Sequence, residues 1–164
     1  MEEKTSGGDF PVPAAERPES PKYASQSSDA EELMKQIIAL KNEMVDYWAD
    51  RRGDASDVIG KFFGEREYGY VFTDRRGSPL GYYTIKVDST GRIVGYRDGI
   101  SENSVMVVEV PYDLTRDIVE DIYEDSRFPR DWISATMKKA PKVVSGLRKG
   151  KVKVRSASHY KGRI

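Results

Sequence analysis

The stretch that decides the fold is "GYYTIKVDSTGRIVGYRD", residues 81–98. Apolar and polar residues alternate on both sides of "DSTG", residues 88–91, and such alternation is typical of half-buried β-strands. Asp, Ser, Thr and Gly between two such runs favour a tight turn. The sequence therefore predicts a β-hairpin whose apolar residues share a face in each half: Tyr83, Ile85 and Val87 in the first, and Val94 and Tyr96 in the second.

Two flanking segments continue the period of two. "EYGYVFTD", residues 67–74, places Tyr68, Tyr70 and Phe72 on one face, and "NSVMVVEV", residues 103–110, alternates in the same way. The segments are separated by short polar stretches, which favour pairing between neighbours in sequence. We predict four strands joined by short turns in an antiparallel sheet.

A fifth strand is predicted near the end of the chain, in "RKGKVKVRS", residues 148–156. Strand alternation places Val152 and Val154 on one face and Lys151, Lys153 and Arg155 on the other. A segment that only coats phosphates does not need valines in strict register, whereas the last strand of a sheet does. We therefore expect an edge strand with both valines pointing inward and exposed lysines that discourage aggregation.

The remaining order comes from helices. In "SSDAEELMKQIIALKNEMVDYWAD", residues 27–50, Ser28 and Glu31 have the spacing of a capping box. Apolar residues then recur every three or four positions, which predicts a helix lying on the sheet, with a partner-binding helix as the alternative. Asp54 is placed to cap a shorter helix that contains Phe62 and Phe63. Further helices are predicted at residues 112–125 and 132–140, followed by a fresh helical turn that Pro141 opens and that carries Val143, Val144 and Leu147.

The chain therefore divides into three parts. Residues 1–28 are rich in Pro, Ser, Gly and Glu, and we expect this acidic tail to be disordered. Residues 29–156 are predicted to form a single α+β domain, in which a mainly antiparallel sheet of about five strands is covered by helices. Residues 157–164 are expected to be a basic C-terminal tail.

Composition excludes several kinds of chemistry. The 164 residues contain 27 Lys and Arg, 27 Asp and Glu, one histidine and no cysteine. Thiol nucleophiles, disulfides and histidine-based triads are excluded, and no glycine-rich phosphate motif is present. We expect that the protein is not an enzyme and that it has no cofactor and no metal site. With no signal peptide and no apolar run of spanning length, we expect a soluble cytoplasmic protein.

The order of these parts resembles the sterol carrier protein family. The resemblance lies in "GYYTIKVDSTGRIVGYRDG" (81–99), "SVMVVEVPYDLTRDIVEDI" (104–122) and "GKVKV" (150–154), and covers about residues 30 to 155. It implies a five-stranded sheet with flanking helices that hold a lipid between them. Members continue into a last helix that helps to close the lipid tunnel, whereas "SASHYKGRI" (156–164) is shorter and more polar than such a helix.

The first functional hypothesis is a non-catalytic binding or carrier module for a hydrophobic, lipid-like small molecule. Its support is the resemblance, the wide apolar helix faces and the aromatic residues of the sheet. Eight residues are predicted to line the pocket because of the faces on which they lie, and the same residues could equally form ordinary core. They are Phe62, Tyr70, Tyr83, Ile85, Met106, Val108, Ile118 and Trp132.

The second hypothesis is an adaptor that binds nucleic acid or an acidic protein through the C-terminal basic segment. From residue 138 onward the chain has ten Lys or Arg and no Asp or Glu. Such a segment releases counterions from a polyanion without reading its sequence. The acidic stretch 98–131 could instead neutralise it within the fold or across a homodimer. The polyanion-binding candidates are Lys149, Lys151, Lys153, Arg155, Lys161 and Arg163.

Overall fold

The computed structural model describes residues 21–51, 57, 60–125 and 127–161, with side chains from Asp29 onward except those of residues 132 and 133. The elements in chain order are α1 (Pro21–Arg51), β1 (Arg66–Thr73), β2 (Pro79–Val87), β3 (Ile93–Asp98), β4 (Ser104–Pro111), α2 (Tyr112–Glu124), α3 (Trp132–Met137), α4 (Ala140–Arg148) and β5 (Lys153–Arg155), followed by a 3-10 turn, Ala157–Tyr160. No helix among the described residues is both long and apolar enough to span a membrane.

The fold is α+β, with one five-stranded sheet in the order β3-β2-β1-β4-β5. The β1–β2, β2–β3 and β4–β5 pairs are antiparallel, and β1–β4 is parallel. The predicted fold class is confirmed. The prediction that consecutive strands pair with each other is wrong for β3 and β4. Strand β4 does not follow β3 at its edge; the chain crosses to the far side of β1. Thr84 holds this crossing, because its hydroxyl donates to the Gly99 carbonyl and accepts from the Ser101 N–H.

The predicted hairpin is β2 and β3, and its turn is organised by Asp88. The carboxylate of Asp88 accepts hydrogen bonds from the N–H groups of Thr90 and Arg92. The expectation that Val94 shares the core face with Tyr96 is wrong. The β2–β3 register shifts between Lys86 and Val87, so that a bulge reverses the alternation. Ile93 therefore joins Tyr96 in the core, and Val94 is 44% exposed.

Helix α1 packs against one face of the sheet, chiefly on β2 and β3. The capping box at Ser28 and Glu31 is wrong, because α1 begins at Pro21. Glu31 is instead buried, and it accepts a hydrogen bond of 2.7 Å from the Tyr96 hydroxyl. The main core on this face combines Leu33, Met34, Ile37 and Leu40 of α1 with Phe72, Tyr83, Ile85, Val87, Ile93 and Tyr96 of the sheet and Val119 and Ile122 of α2.

The opposite face of the sheet carries a second cluster, made of Val71, Val107 and Tyr160 with Ile100 and Ala157 against them. Residues 157–160, predicted to belong to the tail, form the 3-10 turn that covers this face. Tyr160 is 4% exposed, and its hydroxyl donates to the Glu109 carboxylate. Burial, followed by this hydrogen bond, raises the pKa of Tyr160 well above its usual range.

Strand β5 lies at the edge of the sheet, as predicted, and among the described residues it pairs with β4 alone. The inward orientation is right for Val152 and wrong for Val154, which is 60% exposed. Val152 precedes the strand, and its N–H donates to the Gly146 carbonyl, so it is buried beneath α4. Val154 pairs with Val108 on the α1 side of the sheet, in an edge strand, whereas α1 packs chiefly on β2 and β3.

Several sequence predictions lie outside the described residues. They are the disorder of residues 1–20, the cap at Asp54 and the side chain of Trp132. Residues 21–28, predicted as the end of the tail, are the first turns of α1.

Candidate functional site

An apolar groove opens on the α1 face of the sheet, where the helices leave it uncovered. Helix α1 crosses β2 and β3, and α2 begins directly after β4 and packs near its C-terminal end. The N-terminal halves of β1 and β4 are left open between them, which produces a cavity of about 310 Å³. Its walls are Lys41, Met44 and Val45 of α1, Phe63 before β1, Tyr68, Gly69 and Tyr70 of β1, Ile85 and Val87 of β2, Gly91 of the turn, Ile93 of β3, and Met106 and Val108 of β4.

The groove has a deep end and an exposed rim. Ile85, Val87 and Ile93 are buried at its base, where they also belong to the main core. At the rim, Phe63 is 57% exposed and Met106 is 40% exposed. Large apolar side chains that remain in contact with water around a concave apolar surface are typical of ligand sites.

Lys41 is the one charged side chain among the described residues that line the groove. It lies on α1, half-buried, one turn before Met44 and Val45, so it shares their side of the helix. No acidic group among the described residues lies within 4.0 Å of its ammonium group. A single unpaired ammonium group at an apolar wall can bind the acidic end of an amphiphile.

The groove contains half of the predicted pocket. Tyr70, Ile85, Met106 and Val108 lie together along it. Tyr83 is instead buried in the core between Phe72 and Tyr96, and Ile118 packs against that core from α2. Phe62 is 64% exposed outside the groove wall, where its neighbour Phe63 lies. The side chain of Trp132 lies outside the described residues.

Sequence reasoning missed Lys41, Met44 and Val45 as lining residues. The signal was present, because Met44 and Val45 belong to the wide apolar face of the predicted helix. A helix pattern shows which residues face the sheet but not where the helix ends over it. The structure places α1 residues 30–40 over the closed core and Lys41, Met44 and Val45 at the groove.

The basic C-terminal segment contributes to a second concavity, which we call the basic basin. It has a volume of about 620 Å³ and lies at the carboxyl ends of β1 and β4, beside α4. Of the polyanion candidates, Lys149, Lys151 and Lys153 line it, and Lys161 is exposed elsewhere. Arg163 lies outside the described residues. The charged lining residues are Asp74, Arg75, Arg76, Glu109, Asp113, Lys142, Lys149, Lys151 and Lys153.

Acidic residues neutralise part of this segment, as one of the sequence predictions proposed. Arg155 is paired with Glu109 at 2.9 Å, so it is not free for a polyanion. Asp121 accepts from Lys139 at 2.9 Å and from Lys142 at 3.2 Å, and these two bonds lower the pKa of its carboxyl. Polyanion binding by the remaining lysines stays a prediction.

Nothing in the described part of the chain assembles a metal centre, since no three His, Cys, Asp or Glu groups converge there. Asp125 has a strongly lowered pKa, and the cause is its double hydrogen bond with Arg127 at 3.1 and 3.0 Å. This pair fixes the loop after α2, far in sequence from the groove residues. Its shift is that of a structural ion pair.

No protein-family model matches the chain, and no curated protein sequence is significantly similar to it. Among solved structures, the chain is similar to sterol carrier protein 2 from Yarrowia lipolytica in its apo form. The two are 9% identical, with a TM-score of 0.41 over 73% of this chain and 83% of that chain.

Proposed function

We propose that the protein is a non-catalytic binding or carrier module for a hydrophobic, lipid-like small molecule, which it holds in the groove between α1 and the sheet. The observation that carries the proposal is the groove itself: a cavity of about 310 Å³ whose walls are aliphatic and aromatic apart from Lys41. Ligand pockets occupy roughly 300–1,000 Å³ and are mainly apolar with a few polar groups. The groove lies at the small end of this range, which favours one acyl chain over a bulky lipid.

The ligand class follows from Lys41. The burial of an alkyl chain against Tyr70, Ile85 and Val108 supplies affinity, at about 25 cal/mol per Å² of apolar surface removed from water. The ammonium group of Lys41 supplies a hydrogen-bonding partner for an acidic head. We therefore favour an alkyl carboxylate or a similar acidic amphiphile over a neutral hydrocarbon or alcohol.

The test uses a fluorescent fatty acid and the full chain. Titration should give saturable binding at one site, and native mass spectrometry should show one ligand per chain. Met106→Glu places a carboxylate at the rim of the groove and should reduce affinity roughly tenfold or more, because the charge must be desolvated beside an apolar and acidic ligand.

Val105→Glu is the matched control. Val105 is the preceding residue of β4, is 54% exposed, and points to the opposite face of the sheet. The two variants add the same charge to adjacent exposed positions, so their effects on folding should be similar. Equal loss of binding in both, or no saturable binding by the unaltered chain, would contradict the proposal.

A further inference from the structure

Helix α4 presents its apolar side to water. Val143 is 38% exposed, Val144 is 48% exposed and Leu147 is 48% exposed. At about 100° per residue these three side chains lie within roughly 100° of one another around the helix, so they form one continuous strip. A surface helix of a globular protein normally turns such a strip toward the core.

The opposite side of α4 is fixed to the body of the protein, so the helix cannot turn its strip inward. Gly146 is buried, and a Cβ at this position would lie 2.6 Å from Cγ2 of Val152 and 3.4 Å from Cδ2 of Leu114. Lys142, Ser145 and Lys149 line the basic basin next to α4. The helix therefore turns Gly146 toward the body of the protein and its branched apolar residues toward water.

The surroundings of the strip are cationic. From residue 138 to the end the sequence has ten Lys or Arg and no acidic residue. Lys139 and Lys142 share one carboxylate, that of Asp121, and Arg155 is paired with Glu109. Arg148, Lys149 and Lys151 are exposed, and within the part of the chain that the structure describes no carboxylate lies within 4.0 Å of them.

We infer that α4 and its flanking cations form a docking surface for an anionic lipid bilayer. A strip of Val and Leu flanked by Lys and Arg combines the two terms of interfacial binding, which are burial of apolar side chains at the acyl boundary and attraction to acidic headgroups. A second copy of the chain fits the surface less well, since it would bring two uncompensated cationic rims together. The inference does not depend on the proposed ligand groove, which lies on the α1 face.

Vesicle flotation tests the surface directly. The full chain should float with vesicles of phosphatidylcholine containing about one third phosphatidylserine and should remain unbound with phosphatidylcholine alone, with binding weakened by added salt. The double change Val144→Gln and Leu147→Gln should weaken binding roughly tenfold or more. Val94→Gln, at a similarly exposed valine of β3, is the control and should bind normally.

The cations are tested by Lys149→Gln and Lys151→Gln. Each change removes one exposed charge just after the C-terminal end of α4 and should weaken binding roughly fivefold, the effect of about one Lys or Arg at an acidic membrane surface. The matched control is Lys61→Gln, an exposed lysine far in sequence from α4. If the double glutamine variant binds as well as the unaltered chain while the lysine variants lose binding, general electrostatic attraction accounts for the result and the inference fails.

The absence of cysteine allows a second readout, because a single Cys introduced by Val144→Cys is a unique labelling site. An environment-sensitive dye attached there should shift to the blue on vesicle binding and be quenched by nitroxide-labelled lipids, whereas the same dye at Val94→Cys should not respond. A response at neither position, or a change at position 144 that depends on protein concentration without vesicles, would overturn the inference in favour of no docking or of a protein–protein contact.

Discussion

Asn42 fastens the groove-forming half of α1 to the edge of the sheet. Its side-chain amide donates to the Ile93 carbonyl at 2.8 Å, and its carbonyl oxygen accepts from the Ile93 N–H at 2.8 Å. Strand β3 is an edge strand, so no strand of the described residues pairs with these backbone groups on that side. The side chain of Asn42 thus takes the place of a neighbouring strand at Ile93, which is 4% exposed.

Asn42→Ala removes both hydrogen bonds and leaves two backbone groups of a buried residue poorly satisfied. A net value of about 0.5–1.5 kcal/mol for each bond, with a further penalty for incomplete solvation, gives a loss of about 2–3 kcal/mol in the free energy of unfolding. For a chain of this size that lowers Tm by about 5–10 °C. The neighbouring Arg92–Asp46 pair at 3.0 Å is exposed and contributes at most about 1 kcal/mol, so it does not replace Asn42.

The assay is urea unfolding followed by circular dichroism, with Asn103→Ala in an exposed turn as the control, for which we expect a change below about 0.5 kcal/mol. Asn42→Asp adds a directional check: an ionised carboxylate accepts from the Ile93 N–H but cannot donate to its carbonyl. That variant should regain part of the loss, relative to the unaltered chain, as the pH falls below about 4 and the carboxyl is protonated. A loss under about 0.5 kcal/mol for Asn42→Ala would refute the reasoning.

Two further predictions concern Lys41 and Tyr160. Lys41→Met should weaken binding of an alkyl carboxylate roughly tenfold, measured by competition with the fluorescent fatty acid, because the carboxylate uses the ammonium group. Binding of the matching alcohol should change by less than about twofold. Equal effects on both ligands would count against an acidic ligand. The raised pKa of Tyr160 means that the folded chain keeps this proton at pH values where the unfolded chain, with a pKa of about 10, has lost it. The resulting stabilisation is fully present below about pH 10 and is lost as the pH rises toward the folded-state pKa. The urea midpoint should therefore fall more between pH 9 and pH 11 for the unaltered chain than for Tyr160→Phe. Parallel curves of the midpoint against pH would show that Tyr160 is not the group responsible.

The strands were predictable because the alternation of apolar and polar residues along a strand can be read from a single sequence. Tyr83, Ile85 and Val87 alternate as predicted and are buried as predicted. Alternation does not say which strands are neighbours, so the parallel β1–β4 pair was missed. Alternation also predicts the wrong face wherever the strand register shifts. The bulge beside Val87 exposes Val94, and the hydrogen bond from the Val152 N–H to the Gly146 carbonyl removes Val152 from the β5 ladder.

The candidate site was half predictable for a related reason. Tyr70, Met106 and Val108 were identified because facing is a local property of a strand. Whether a facing residue lines a cavity or a closed core depends on how far a helix extends over it, which is a tertiary property. Tyr83 lies under α1 and is core, whereas Met106 lies beyond α1 and is exposed. The choice between Phe62 and Phe63 depends on the end of a short helical turn, where pattern is weakest.

The parallel pairing of β1 with β4 has a consequence for synthesis on the ribosome. Strand β1 ends at Thr73 and its partner does not begin until Ser104, although β2 and β3 emerge between them. A nascent chain therefore carries a three-stranded unit whose future central strand still displays a row of unsatisfied amides and carbonyls. Translation that pauses before Ser104 prolongs the interval in which that strand can pair with another nascent chain.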